Sequence, residues 1–270
     1  MAALCALAAP VLHGVVLAPP AAAGEVEEEV LLYPSYLTWD AGEKAWRGTV
    51  RGRVFEPGSA AAAGVARRAL HAALGAVADP DGEEEERIFE ERAALFAADS
   101  ERGERVVVEI GGLPFPSRPS RGNGHFVAEV AVAEGVAGGT VPFRARPDRK
   151  GARTVEGTLR LPGAEGVSVI SDVDDTVKDS AVLVREELVA NTFYRPFRAI
   201  EGMPALYGAW RERGAAVHYV TASPWQLFPP LWEFLAGSGL GGVSIEMREV
   251  RLANASVVHL FRDTRAYKTG

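Results

Sequence analysis

Residues 167 to 180 read VSVISDVDDTVKDS: an apolar run, Val167 to Ile170, and then Asp172, Asp174, Asp175 and Asp179 within eight residues. A single aspartate after a strand ordinarily forms a turn or caps a helix. Four so close together repel one another unless a cation or a basic partner compensates them. A hard divalent ion, Mg²⁺ above all, is the economical partner, because it takes carboxylate and carbonyl oxygens and keeps several waters. Residues two apart in an extended chain project to the same side, so Asp172 and Asp174 can face one phosphate together. One carboxylate can then attack phosphorus, forming an aspartyl phosphate, while the other acts as general acid and then base.

Such residues need a scaffold, and the chain after Gly163 supplies an α/β pattern. Val167 to Ile170 is expected to be a buried strand. Val182 to Ala190 and Met203 to Arg213 are expected to be helical, the second with Met203, Leu206 and Trp210 on one face. Val217 to Val220 reads as a second strand. Ser223-Pro224 then looks like a helix start, with serine as the cap and proline at the first helical position. Strand, crossover helix and strand imply parallel neighbours, and ligands of such sheets bind at the carboxyl ends of the strands. Asp172, Asp174 and Thr221 all fall there. The Thr221 hydroxyl can hydrogen-bond a phosphoryl oxygen, although threonine at a strand end is also an ordinary β-former. The free N–H groups of a helix starting at Ser223 suit an anion. Trp225 and Phe228 fit either lipid contact or core, and His218, inside a strand, reads as a packed histidine. Thr176 is expected to brace the loop, and Lys178 to pair with Asp175 or Asp179.

Upstream, Trp46 to Phe55, Arg105 to Ile110, Gly124 to Val132 and Thr154 to Leu161 read as strands of an antiparallel sheet. Ala60 to Val77 and Glu83 to Ala98 read as helices, the second opening on acids that suit a helix N-terminus. The acidic runs Glu25 to Glu29 and Glu83 to Glu86 read as solvated faces, and Leu113 to Gly124 as a surface connection. The first two dozen residues are apolar and Ala-rich, ending in small residues around Ala21 to Ala23. That pattern fits a targeting peptide or an unstructured leader; it is too broken by Pro10 and His13 for a transmembrane helix. A net charge of −7, mixed in sign along 270 residues, gives no footprint for nucleic acid and no polybasic patch for anionic lipid. The one cysteine, Cys5, excludes an intramolecular disulfide and a cysteine metal site.

The stretch Asp172-Val-Asp-Asp-Thr176 resembles the first motif of the haloacid dehalogenase superfamily. More narrowly, SDVDDTVKDS with NTFYRPF (Asn191 to Phe197), IEGMPALYGAW (Ile200 to Trp210) and HYVTASPWQLFPPL (His218 to Leu231) resembles the fungal actin-patch phosphatidate phosphatase family and its bacterial relatives. The resemblance implies an α/β chain in three parts: a leader over residues 1–30, a β-rich (α+β) domain over 31–163, and a haloacid-dehalogenase-like parallel α/β domain over 164–270. It implies a Mg²⁺-dependent phosphatase that converts phosphatidate, or another lipid phosphate at a membrane surface, to the free alcohol. The location would be the cytoplasm or a membrane periphery. Asp172 becomes the nucleophile and metal ligand, and Asp174 the general acid/base, with its backbone carbonyl on the metal. Thr221 and Lys268 become the second- and third-motif residues on the phosphate, and Thr176, Ser223 and Trp225 line the substrate. The family's fourth motif, a Gly-Asp-Ser-Gly-like metal segment, is expected about two dozen residues beyond Lys268, so the sequence ending at Gly270 reads as shortened. Two alternatives remain beside the lipid phosphatase: a noncatalytic lipid- or phosphate-binding protein, and a phosphatase of a soluble phosphomonoester.

Overall fold

The computed structural model describes residues 28–75, 77–133, 139–163 and 165–250. The protein is mixed α/β, with a large sheet, a smaller parallel sheet and a few helices. The large sheet has nine strands: β1 (Glu29–Leu32), β2 (Ser35–Asp40), β3 (Ala45–Glu56), β4 (Asp99–Ser100), β5 (Val106–Ile110), β6 (Leu113–Pro116), β7 (His125–Ala133), β8 (Thr140–Pro147) and β9 (Val155–Arg160). The order β1-β3-β2-β9-β8-β5-β6 is antiparallel except at β2–β9, and β4 and β7 also pair with β3. Period-2 alternation does the folding: along β8, Val141, Phe143 and Ala145 point inward while the residues between them are exposed. The sheet curls round a shared core that includes Val50, Val108, Phe126 and Leu159.

Between β3 and β4 lie α1 (Ala60–Leu74) and α2 (Glu83–Ala94). Ser59 caps α1 by accepting from the Ala62 N–H. Of the acidic run that opens α2, Glu85 pairs with Arg195 at 3.0 Å and Glu86 with Arg67 at 3.6 Å, so part of that face is paired rather than simply solvated. The segment from Leu113 is more than a connection. It begins as β6, and Ser117 and Ser120 are buried, accepting from the N–H groups of Val106 and Glu104.

The second sheet is parallel, β10 (Ser168–Asp172), β11 (Ala216–Pro224) and β12 (Ser244–Arg248), in that order. The crossover from β10 to β11 carries α3 (Arg185–Val189), a π-helical turn (Ala190–Tyr194) and α4 (Met203–Glu212). The crossover from β11 to β12 carries a 3₁₀ turn (Trp225–Leu227) and α5 (Phe228–Gly237).

Three expectations are corrected here. The strand ahead of the acids is not buried: Val167 and Ile170 are 66% and 78% exposed, because among the described residues β10 pairs on one edge only and turns Val169 and Ser171 inward. On α4 the buried residue is Tyr207 rather than Leu206, its hydroxyl 2.7 Å from that of Ser171. No helix starts at Ser223. Ser223 and Pro224 close β11, and α5 begins only at Phe228, since the Thr221 side chain holds the Ser223 N–H in an extended continuation.

The two sheets pack directly on each other. Tyr33, in the turn between β1 and β2, stacks on Trp225 at 4.2 Å between ring centroids and meets Phe228 edge-on. Arg51 of β3 forms a two-pronged pair with Glu246 of β12.

Candidate active site

Asp172 is the last residue of β10 and lies opposite Val220 of β11, so Thr221 stands one position past it at the same end of the sheet. The carboxylate Oδ1 of Asp172 accepts from the Val173 N–H at 2.7 Å, which fixes its rotamer at the strand terminus. Past Val173 the chain turns tightly, with the Val177 and Lys178 N–H groups both donating to the Val173 carbonyl.

Asp174 sits inside this turn with only 14% of its side chain exposed. Its Oδ1 accepts from Lys178 Nζ at 3.1 Å and Ser180 Oγ at 2.8 Å. Its Oδ2 accepts from Thr221 Oγ1 at 2.8 Å and lies 3.5 Å from Ser223 Oγ. Burial pushes this carboxyl up, but the Lys178 charge and the hydrogen bonds from Ser180, Thr221 and Lys178 outweigh it and hold Asp174 below the usual carboxylate range. Asp174 is therefore an ionised carboxylate at neutral pH.

Lys178 is the residue that the sequence placed wrongly. It is 1% exposed and pairs with Asp174, not with Asp175 or Asp179. Its ammonium also contacts Ser180 Oγ and lies 5.1 Å from the centre of the Phe197 ring. Arg92 of α2 is 3.9 Å from the centre of the same ring and donates to the Thr192 carbonyl. Burial pulls the Arg92 guanidinium down to about 10 against the opposing charge of Glu91. The signal that could have found Lys178 is its being the only cation inside a four-acid loop; nothing local marks Phe197 or Arg92.

The other acids are accounted for by the turn. Asp175 adopts φ 54° and accepts from the N–H groups of Ser180, Ala181 and Val182, which closes the loop onto itself. Asp179 faces Arg198 at the surface. Half of the acidic cluster is thus loop architecture, and the two residues nearest the crevice are Asp172 and Asp174.

Thr221 is fully buried, and its hydroxyl proton is directed at Asp174 while its oxygen accepts from the Ser223 N–H. Thr176 is half-buried in the same turn, its N–H donating to the Val173 carbonyl. Trp225 is 6% exposed, wedged among Tyr33, His125 and Phe228, so its ring serves the contact between the sheets instead of facing a substrate. His218 is a packed histidine, bonded to Ser244 Oγ at 2.8 Å and edge-on to Tyr36. Lys268 lies outside the described residues.

Among the described residues, no group of three or more His, Cys, Asp or Glu side chains converges as a metal cage. The Asp172 carboxylate at the strand end is an oxygen donor of the kind a hard cation that keeps much of its water takes. No described helix is long and apolar enough to cross a membrane.

An uncharacterized protein of Schizosaccharomyces pombe is 37% identical over 82 residues, which is 29% of this chain and 14% of that protein. The chain therefore spans about a seventh of that relative. Residues 167–270, which hold Asp172, Asp174, Lys178 and Thr221, match the family described as phosphatidate phosphatase APP1, catalytic domain, and in that segment the chain is similar to it.

Proposed function

We propose that the protein is a Mg²⁺-dependent phosphatidate phosphatase that works through an aspartyl phosphate on Asp172. The observation that carries this reading is the division of labour at the end of β10: one carboxylate at the strand terminus and, two residues on, a second held ionised by Lys178, Ser180 and Thr221. The match of residues 167–270 to the phosphatidate phosphatase family supplies the substrate class.

In this account Asp172 attacks phosphorus and the ester oxygen leaves. Asp174 gives that oxygen a proton, then takes one from the water that opens the phosphoenzyme. The three donors on Asp174 keep it ionised, the form the second of these roles starts from, while lowering its basicity. The arriving phosphate dianion raises its proton affinity by like-charge repulsion, which readies it for the first. Thr221 turns its hydroxyl from Asp174 toward the phosphoryl oxygen as Asp174 takes up the proton. The Asp172 carboxylate and the Asp174 backbone carbonyl would hold Mg²⁺, whose contribution is to neutralise charge on the phosphate. The parallel sheet is read as a haloacid-dehalogenase-like core and the nine-stranded sheet as its companion domain.

The test is inorganic phosphate release from phosphatidate in detergent micelles by the 270-residue chain, with Mg²⁺ and with a chelator. Release that needs the metal is expected. Equal release under chelation removes Mg²⁺ from the account, and release from a soluble phosphomonoester but not from phosphatidate reassigns the alcohol.

A further inference from the structure

The loop that leaves the acidic turn presents three consecutive aliphatic residues to solvent. Leu183 is 97% exposed, and its neighbours Val182 and Val184 are 44% and 49% exposed. A single surface leucine is ordinary, but a run of three apolar side chains in water is kept where something uses it. The run is also held in place. The Asp175 carboxylate accepts from the N–H groups of Ser180, Ala181 and Val182, and the Val184 N–H closes a further turn on the Ala181 carbonyl. Ala181 stands at φ 53°, a conformation that costs energy for any residue with a Cβ and persists because these bonds fix it. The backbone is thus constrained to hold Leu183 outward.

This tip lies beside the strand-end acids. Ser180, three residues before Leu183, donates to Asp174 Oδ1 at 2.8 Å, and the loop follows β10 off its carboxyl end, where ligands of a parallel sheet enter. The charges around the tip balance: Asp179 faces Arg198, Glu187 pairs with Arg195 at 2.6 Å, and Arg185 stands next to Glu186 in the chain. Net charge therefore neither draws an anionic surface to the tip nor repels it, and apolar contact is what the tip has to offer. Protein interfaces are anchored by Trp, Tyr and Arg, with Leu and Val under-represented among the residues that carry binding. A bare aliphatic tip matches the hydrocarbon boundary of a bilayer better.

We propose that Val182, Leu183 and Val184 form a tip that inserts into a bilayer surface and brings the crevice at the end of β10 to a phosphate head group lying in that surface. The inference rests on the phosphatidate reading of the site, which makes a bilayer the partner. A two-chain lipid keeps its acyl chains in the membrane while its phosphate is at the boundary, so an apolar anchor next to the acids lets the protein meet the phosphate there.

The experiment sediments the full chain with sucrose-loaded vesicles of phosphatidylcholine and phosphatidate, in chelator so that binding is read without turnover. The protein is expected to bind, and Leu183→Asp to bind about tenfold more weakly or worse, the scale of withdrawing one leucine from an apolar phase. Leu183→Trp should recover binding, because tryptophan suits the membrane–water boundary. Val167→Asp alters another exposed valine, just ahead of β10 at its opposite end, and should bind as the protein does. A nitrobenzoxadiazole label on Leu183→Cys, in a Cys5→Ser background, should shift to the blue when vesicles are added. Equal binding by Leu183→Asp and the protein, an equal loss in Val167→Asp, or a label that stays in water would each overturn the proposal. If the equally binding Leu183→Asp is also a monomer where the protein is a dimer, the tip belongs to a second copy of the chain. Leu183-dependent binding by a protein that releases no phosphate from phosphatidate leaves the tip standing and removes only the phosphatase reading.

Discussion

Asp172 and Asp174 stand two residues apart but differ in what removing their charge costs. Asp174 is the counter-ion of a lysine with 2% side-chain exposure, whereas Asp172 sits half-exposed at a strand end. Asp174→Asn leaves the Lys178 ammonium buried without a carboxylate, a change that costs about 3–5 kcal/mol in comparable buried pairs. Asp172→Asn should stay within about 1 kcal/mol. Urea denaturation of the two variants checks this, and equal losses would mean that the Lys178 contact does not carry Asp174. The proposed chemistry has both variants inactive, so stability separates two residues that an activity assay alone would merge.

His125 gives a second prediction at the same scale. Its Nε2 lies 3.2 Å from the Tyr33 hydroxyl, and burial, with Arg53, Arg51 and Arg121 nearby, pulls its pKa from 6.5 to about 4. The folded state therefore favours neutral histidine. In the unfolded chain the ring takes up its proton near 6.5, so the unfolded state binds more protons between that pH and about 4, and stability falls as pH is lowered through this window. Thermal unfolding of the protein and of His125→Gln across that range should show the slope in the first and its loss in the second. Asp174, held below the ordinary carboxylate range, contributes its own acid sensitivity only at lower pH.

At the scale of elements, the strands nearest the chemistry are tied to the large sheet through aromatic contacts, in which Tyr33 is central. Tyr33 leaves the β1–β2 turn and inserts against Trp225 and Phe228, immediately after the strand that presents Thr221. Tyr33→Ala removes a buried ring from that junction and should cost about 3–5 kcal/mol, the range for large aromatic truncations in cores. Because Trp225 loses its stacking partner, near-UV circular dichroism should change with it; a full loss of stability with an unchanged tryptophan signal would place the effect elsewhere. The sequence showed the strands β3, β5, β7 and β9, by alternation or by an apolar run, and the helices α1, α2 and α4, each pattern carried by several residues at once. Short strands such as β1 and β4 have too few positions for a period to register. β8 hides its alternation behind Pro142, arginines and Pro147, and Ser223-Pro224 imitates a helix start while continuing a strand. The aspartates were legible because four charges after an apolar run need an explanation from chemistry. Their partners were not: the Lys178–Phe197–Arg92 stack joins residues far apart in the sequence, and only the folded chain brings them together.

For the molecule as a whole, two sheets divide the work. The parallel sheet presents Asp172, Asp174 and Thr221 at one end, and the nine-stranded sheet braces it through Tyr33 and through the Arg51–Glu246 pair. Both partners of that ion pair are substantially exposed, so it adds little stability and serves mainly to set register between the sheets. The account stands or falls on Asp172 acting as a nucleophile. The most direct measurement is phosphate release from phosphatidate by the protein and by Asp172→Asn, at matched Mg²⁺ and with folding verified by circular dichroism. The account predicts turnover in the first and a loss of at least three orders of magnitude in the second, on the scale of removing a nucleophile. Turnover retained by a folded Asp172→Asn would contradict it.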